Sequence, residues 1–220
     1  MRAFALFLCA FALAVTSAFG GVVYSTNFES GAGAEWSGGG SVQTAGGLSA
    51  FGFGQNHWRN DGSSATVLTL GGLAPHSLVT LTFNLALWDS IDIGDLFTVQ
   101  ADALSLFSST EFGNYFPPDD LGRGPGTLIT PAFTAFAVPD YGYNSGFRDS
   151  ARRASFTFAH TAATLQIIWQ YPSTQGGLDE SFGIDNVIVE TDAQSVVPEP
   201  STMLLFAAGL GLAGLARRRK

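Results

Sequence analysis

The chain of 220 residues combines few charged residues with much glycine and phenylalanine. It contains 10 Lys and Arg against 18 Asp and Glu, together with 27 Gly, 19 Phe and one Cys. Residues 21–197 hold five Arg, no Lys and 17 acidic residues, so the formal net charge of this part is −12. Such a charge excludes a nucleic-acid-binding protein that works by neutralising phosphates. The length of this part fits a single domain.

Residues 1–20 have the three parts of a secretory signal peptide. Arg2 supplies the positive charge, residues 3–15 form an apolar run, and small residues follow around Ala18 and Gly20. The alternative is a first transmembrane helix, but the run is shorter than the roughly 20 apolar residues that a span needs. Because Cys9 lies in this segment, we expect the mature protein to have no disulfide.

Alternation of apolar and polar residues with a period of two predicts β-strands along the middle of the chain. Every odd-numbered position of 79–88, for example, is apolar. The predicted strands cover 22–28, 66–70, 79–88, 97–101, 155–159, 165–171 and 184–190. Turn residues such as Gly and Pro separate these runs. The pattern predicts an all-β fold, an antiparallel β-sandwich of jelly-roll type over residues 21–190, followed by a linker at 191–197.

The segment 111–150 contains five Pro and six Gly and is predicted to form long loops around one or two short strands. Long loops in a compact sandwich often carry binding sites. Aromatic residues in predicted loops are candidates for stacking on sugar rings: Trp36, Trp58, Tyr115, Tyr141 and Tyr143. The alternative for each of them is local packing. Trp88 and Trp169 lie in predicted strands, and we expect both in the core.

Asp185 is the most informative ionisable residue of the middle part. In the last predicted strand it shares a face with Val187 and Val189. If this face is buried, the carboxylate needs a cation or an Arg beside it. With five Arg in the domain, a calcium ion is the favoured partner, because calcium binds carboxylate and carbonyl oxygens. The alternative is that Asp185 faces solvent or caps a turn.

A second acidic cluster consists of Asp89, Asp92 and Asp95. Its spacing differs from that of an EF-hand loop, so its metal-binding interpretation competes with that of a solvated loop. The three His are scattered and form neither an H-x-H nor an H-E-x-x-H motif, which gives a zinc site little support. The G-x-S-x-G motif is also absent from the sequence. We therefore predict that the protein is not an enzyme.

The C-terminus has three parts in a fixed order. Val197, Pro198, Glu199 and Pro200 are followed by an uncharged apolar run at 203–216. The chain then ends with four basic residues: Arg217, Arg218, Arg219 and Lys220. As a helix the run is about 21 Å long, short of a hydrocarbon core of about 30 Å. The simplest interpretation is a short transmembrane tail anchor whose basic end stays in the cytoplasm.

This tripartite order at 198–220 resembles the PEP-CTERM sorting signal. The resemblance implies a Gram-negative, exopolysaccharide-producing host, transient contact with the inner membrane, and processing by a membrane-embedded exosortase near the Pro-Glu-Pro sequence. The two prolines hold this sequence in an extended form that a protease can bind. After processing, the protein is expected at the cell surface or in the extracellular matrix.

Short patches in the middle part are similar to an ectodomain common in PEP-CTERM proteins, which itself resembles the jelly rolls of carbohydrate-binding modules. The patches are 27–29, 88–92, 149–150 followed by 156–158, and 179–187, with Phe182 where such relatives often have Trp. Jelly-roll relatives often hold a structural calcium ion between the first and last strands. Transferred to this chain, the resemblance implies Glu29 and Asp185 as ligands, with Asn27 as a further candidate.

Taken together, these features predict an exported, non-catalytic surface or matrix protein that associates with extracellular polysaccharide and binds carbohydrate. One alternative is a structural matrix protein with no small ligand, for which a flat polar surface would be evidence. Another is a secreted hydrolase, which needs two suitably placed carboxylates or a histidine beside a nucleophile.

Overall fold

Thirteen strands of the described residues form two antiparallel sheets in the computed structural model. The structure describes residues 21–44, 52–62, 64–89, 91, 95–110, 128–130, 133–137, 149–172 and 180–192. The strands are β1 (Gly21–Thr26), β2 (Trp36–Gly38), β3 (Ser41–Thr44), β4 (Asn56–Asn60), β5 (Thr66–Gly71), β6 (Leu78–Asp89), β7 (Phe97–Ala101), β8 (Leu104–Ser109), β9 (Leu128–Thr130), β10 (Phe133–Ala137), β11 (Ser150–Ala159), β12 (Thr164–Gln170) and β13 (Glu180–Thr191).

The two sheets confirm the predicted all-β sandwich. The eight-stranded sheet has the order β3-β4-β13-β6-β11-β10-β9, and β1 also pairs with β13. The five-stranded sheet has the order β2-β5-β12-β7-β8. The part of the chain that the structure describes contains no helix, and therefore none that could span a membrane. The predicted signal peptide (1–20) and apolar run (203–216) lie outside the described residues.

Eight of the strands pair in a nested order that defines a jelly roll. β7 pairs with the next strand, β8, and outside this hairpin β6 pairs with β11. β5 then pairs with β12, and β4 with the last strand, β13. Because successive pairs alternate between the two sheets, the chain folds as one long hairpin wrapped into a sandwich.

Aromatic side chains join the two sheets in the core. Trp169 of β12 and Phe83 of β6 are fully buried, and their rings meet edge to face with 5.5 Å between centroids. Trp36 stacks on Trp169 at 5.6 Å and on Trp58 at 5.3 Å. Aromatic pairs of this kind contribute about 0.5–1.5 kcal/mol beyond the area that they bury. The inter-sheet aromatic cluster therefore fixes how the sheets face each other.

The placement of Trp36 and Trp58 corrects the prediction that they lie in loops. Trp36 begins β2 and Trp58 is central in β4, and each is 7% exposed. Their indole N–H groups donate inside the protein, that of Trp36 to the Tyr24 hydroxyl at 2.6 Å and that of Trp58 to the Gly39 carbonyl at 3.1 Å. Both strands are short and flanked by Gly, so the alternation that predicts a strand is hidden. Neither ring has a free face for a sugar.

A β-bulge in β13 corrects the predicted orientation of Asp185. Asp185 pairs with Asn84 and Ile188 with Thr82, so three steps along β13 match two steps along β6. Asn186 provides the extra residue in a left-handed conformation with φ of 48°. Val187 and Val189 consequently face the core, whereas Asp185 faces the outer side of the eight-stranded sheet together with Asn84.

The outer face of the five-stranded sheet carries no charge. Its five strands contain no Asp, Glu, Lys or Arg. Buried apolar residues of β5, β7 and β12 point to the core, and the alternate positions point outward. These outward positions are mainly hydroxyl and amide side chains, namely Thr69, Thr98, Gln100, Gln166 and Gln170. We refer to this set as the Thr/Gln face.

Candidate functional site

Residues 52–56 cross the outer side of the eight-stranded sheet and bring the candidate carboxylates together. The Gly52 carbonyl accepts hydrogen bonds from the side-chain amides of Asn84, at 2.9 Å, and of Asn186. Two residues further along the segment, the Gly54 N–H donates to Asp185 Oδ2 at 2.8 Å. The crossing segment therefore closes over Asp185, whose side chain is fully buried although it points away from the core.

Glu29 contacts the same segment from the loop that follows β1. Its Oε1 accepts the N–H groups of Gln55 at 2.5 Å and Asn56 at 3.1 Å. Gly54 leaves the space for this carboxylate, since a Cβ at this position would overlap Oε1 of Glu29. The sequence prediction paired Glu29 with Asp185, and the structure brings both to residues 54–56. The sequence pattern did not indicate that backbone N–H groups of this segment donate to the two carboxylates.

Burial determines the protonation of Asp185. Removal from water raises the pKa of its carboxyl group from 3.8 to about 6, and the negative charge of Glu29 acts in the same direction. The N–H groups of Gly54 and Asn186 lower this pKa and offset part of the effect. Near neutral pH the Asp185 carboxylate is therefore ionised, and burying its charge lowers the free energy of unfolding.

The arrangement supplies oxygens of the kind that calcium binds. The two carboxylates are accompanied by backbone and amide oxygens of the crossing segment and its neighbours. Asn27 is placed differently, because its Oδ1 accepts the N–H of Glu29 at 3.3 Å, and its side chain lines a shallow cleft with Asn186. Among the described residues, no three His, Cys, Asp or Glu side chains form a group that could hold a metal ion. A cation here would thus be held by two carboxylates and neutral oxygens.

An aromatic cluster covers the sheet beside this site. Phe53 packs against the Trp88 ring with 6.4 Å between centroids, and the His57 ring lies 4.5 Å from Trp88. Trp88 is fully buried, as expected, but on the outer side of the sheet and not between the sheets. Burial, and secondarily the nearby Arg59, lower the pKa of His57 to about 4. The imidazole is therefore neutral at physiological pH.

The second acidic cluster is not brought together by the described contacts. Asp95 accepts the hydroxyl of the buried Tyr171 at 2.8 Å, so this carboxylate has a structural partner. Asp89 is the last residue of β6 and pairs with Glu180, whereas Asp92 lies outside the described residues. Burial, followed by the hydrogen bond to Asp95, raises the pKa of Tyr171 above its ordinary range. The candidate sugar-stacking residues Tyr115, Tyr141 and Tyr143 also lie outside the described residues.

Comparison with protein families identifies the other functional part of the chain. Residues 196–220 match the PEP-CTERM protein-sorting motif. The match confirms the resemblance drawn from the C-terminal residues. A PEP-CTERM motif implies a protein that is exported and sorted to the cell surface, with an exosortase as its processing partner. No curated protein matches the sequence of this chain.

Several solved structures resemble this chain distantly. The N-terminal tandem CBM22-1–CBM22-2 domain of Paenibacillus barcinonensis Xyn10C is 12% identical, with a TM-score of 0.43. The match covers 78% of this chain and 46% of that one. The K3 cleaved adhesin domain of Lys-gingipain from Porphyromonas gingivalis w83 is 12% identical over 78% of this chain and 100% of that one, with a TM-score of 0.41. The Agl-KA catalytic domain is 16% identical over 83% of this chain and 30% of that one, with a TM-score of 0.35. At these scores the likenesses assign no function to the chain.

Proposed function

We propose that this chain is an exported, non-catalytic protein that an exosortase processes at its PEP-CTERM motif and that then binds extracellular polysaccharide at the cell surface or in the matrix. The sorting motif at 196–220 is the observation that carries the proposal. Before processing, the C-terminal apolar run holds the protein at the inner membrane, and afterwards the sandwich is the part that acts.

The Thr/Gln face supports binding to a neutral glycan. Its amide and hydroxyl groups can both donate and accept hydrogen bonds, as sugar hydroxyls do. The rest of the domain is strongly acidic and would repel an anionic polymer, but this face has no charge of its own. Gln166 and Gln170 are exposed on β12, at the centre of the sheet, and lie on the same side of the strand. A glycan chain along β12 would contact both.

Calcium binding at Glu29 and Asp185 is part of the same proposal. The buried Asp185 carboxylate, whose pKa is raised to about 6, supports it because a divalent cation would remove the repulsion between the two acids. An ion at this position would tie the loop after β1 to the crossing segment and to β13. Its role would be structural, with no direct contact to the glycan.

Co-sedimentation with the host's own purified exopolysaccharide tests the binding function. Residues 21–197 are expected to bind saturably, and Gln166→Ala combined with Gln170→Ala to weaken binding about 10-fold, because each lost hydrogen bond is worth roughly 0.5–1.5 kcal/mol. The matched control is Thr80→Ala with Thr157→Ala, which removes a hydroxyl pair from the outer face of the other sheet. Equal binding by the Gln variant and the control would contradict the use of the Thr/Gln face.

Sorting is tested separately in the native host. Replacing Pro198, Glu199 and Pro200 with Ala is expected to block processing, so that the mature protein keeps its C-terminal segment and has a higher mass. A mature mass that is unaltered by the substitutions would contradict sorting by this motif.

A structural matrix protein without a small ligand is the second candidate function. The Thr/Gln face favours it too, because this face is polar and its described strands present no exposed Trp or Tyr for sugar stacking. Absence of exopolysaccharide binding both with and without calcium would favour this candidate. A secreted hydrolase is less well supported, since the carboxylates of Glu29 and Asp185 both accept backbone N–H groups of the crossing segment.

A further inference from the structure

Three loops meet at one end of the sandwich through a cluster of two histidines and an aspartate. His76 lies between β5 and β6, His160 lies between β11 and β12, and Asp102 lies in the turn between β7 and β8. The histidines are 84 positions apart in sequence, which is why they look scattered there. The cluster connects strands of both sheets and is separate from the carboxylate site formed by Glu29 and Asp185.

The two imidazole rings meet nitrogen to nitrogen. His76 Nε2 lies 2.7 Å from His160 Nδ1, the ring centroids are 4.9 Å apart, and the ring planes differ by 21°. The centroid distance is close to the sum of the nitrogen–nitrogen distance and two ring radii. The two nitrogens therefore face each other almost in line, within nearly coplanar rings, as in an N–H···N hydrogen bond.

The outer nitrogens of both rings face oxygens that can only accept hydrogen bonds. His76 Nδ1 lies 2.7 Å from the Ala74 carbonyl oxygen. His160 Nε2 lies 3.1 Å from the Thr164 carbonyl oxygen and 3.2 Å from Asp102 Oδ2. Both outer nitrogens must then carry a proton. If both rings were neutral, the inner nitrogens would present opposed lone pairs at 2.7 Å.

A metal ion does not fit between the inner nitrogens as they stand. Bonds from a metal such as zinc to imidazole nitrogen are about 2.0–2.1 Å long, so an ion held in line needs about 4 Å between the nitrogens. A proton needs no rearrangement, because 2.7 Å is a hydrogen-bond distance. The geometry thus favours a third proton on the pair.

The charged groups around the pair are acidic. The Asp102 carboxylate is fixed by the Gln166 N–H at 2.9 Å, so its second oxygen stays near His160. On the other side, Asp192 accepts the N–H groups of Ser77 and Leu78, directly after His76. The side-chain hydrogen bond from Ser77 lowers the pKa of Asp192 to about 2, so it remains ionised. Glu190 lines a shallow cleft with Asp192 on the same side.

We propose that His76 and His160 share a third proton, and that the resulting imidazole–imidazolium pair is a clasp that closes this end of the sandwich and opens when the proton is lost at higher pH. Backbone hydrogen bonds join the same loops, from the His160 N–H to the Ser77 carbonyl and from the Leu73 N–H to the Ala163 carbonyl. Opening of the clasp weakens these contacts but leaves the strands in place.

Histidine-selective ¹⁵N labelling of the full chain in detergent micelles tests the clasp by NMR. The chain has only three histidines, and single substitutions assign each signal. We expect protonated outer nitrogens on both rings and one proton shared by the inner nitrogens. We also expect both rings to change together in one step as the pH rises. Two independent titrations, or inner nitrogens that change on addition of a metal chelator, would overturn the proposal.

Asp102→Asn provides a variant that keeps both histidines. Loss of the counter-charge is expected to move the joint transition to lower pH. It is also expected to speed amide hydrogen exchange of His160 and Leu73 at a given pH. Asp185→Asn is the matched control, because it removes one carboxylate from the carboxylate site and not from the clasp. If Asp102→Asn and the control gave the same transition as the unaltered chain, a shared proton stabilised by Asp102 would be wrong.

Discussion

Replacing Asp185 with Asn changes how the stability of the sandwich depends on pH. In the folded protein the pKa of Asp185 is raised to about 6, whereas the ordinary value of 3.8 applies to the unfolded chain. Between these values the folded state binds a proton that the unfolded state has released. The stability from this group is therefore fully present below about pH 3.8 and is lost as the pH rises through about 6. Asn does not titrate and loses nothing in this range.

The size of the effect follows from the shift of about two pKa units. Each unit corresponds to about 1.4 kcal/mol, so ionisation of Asp185 lowers the free energy of unfolding by about 3 kcal/mol at neutral pH. For a domain of this size, 1 kcal/mol moves the melting temperature by roughly 2–4 °C. We therefore expect the difference in melting temperature between Asp185→Asn and the unaltered protein to grow by about 6–12 °C between pH 4 and pH 7.5.

His57 makes the comparison with a variant necessary. Its pKa is lowered to about 4, so its contribution to stability is present above the ordinary value of 6.5 and is lost as the pH falls toward 4. This change is opposite in sign to that of Asp185 over much of the same range. The pH dependence of the unaltered protein alone would thus mix two effects, whereas subtraction of the variant isolates Asp185.

The assay is thermal unfolding of residues 21–197 at several pH values, first with chelator and then with calcium. Calcium is expected to raise the melting temperature of the unaltered protein at pH 7.5 and to have little effect on Asp185→Asn. Glu29→Gln is expected to lie between them. Parallel curves for Asp185→Asn and the unaltered protein in chelator would refute the buried-carboxylate argument. An unchanged melting temperature on addition of calcium would refute the metal site alone.

Three further substitutions test the packing. Gly183→Ala places a Cβ that overlaps the edge of the Trp88 ring and lies 2.9 Å from His57 Cδ2. We therefore expect the free energy of unfolding, measured by urea denaturation, to fall by about 1–3 kcal/mol. An unchanged midpoint would contradict this contact. Phe83→Ala removes the ring packed on Trp169 and is expected to lower the free energy of unfolding by about 3–5 kcal/mol, measured in the same way. Trp36→Phe loses the donor to the Tyr24 hydroxyl, and a loss near 1 kcal/mol is expected in thermal unfolding.

The long strands of the fold could be predicted from the sequence because their inner positions are regularly apolar. The window 79–88 lies within β6, and 165–171 overlaps β12 almost completely. Short strands flanked by Gly were missed, since three to five residues give too little alternation to recognise. Trp36 and Trp58 were misplaced for this reason.

The carboxylate site could be predicted in part. The pairing of Glu29 with Asp185 agrees with the structure, but the direction in which Asp185 points does not. A bulge adds one residue to a strand, and from then on the alternation is inverted, which a single sequence does not reveal. The meeting of His76 with His160 depends wholly on the strand order, so spacing along the chain contains no sign of it.

The nested strand pairing also determines when the protein can fold during export. β13 pairs with β1, β4 and β6, and it is the last strand among the described residues. The eight-stranded sheet therefore lacks a central strand until residues 180–191 have been exported. Of the four nested strand pairs only the β7–β8 hairpin is local in sequence, so contacts of long sequence separation dominate and folding is expected to be slow.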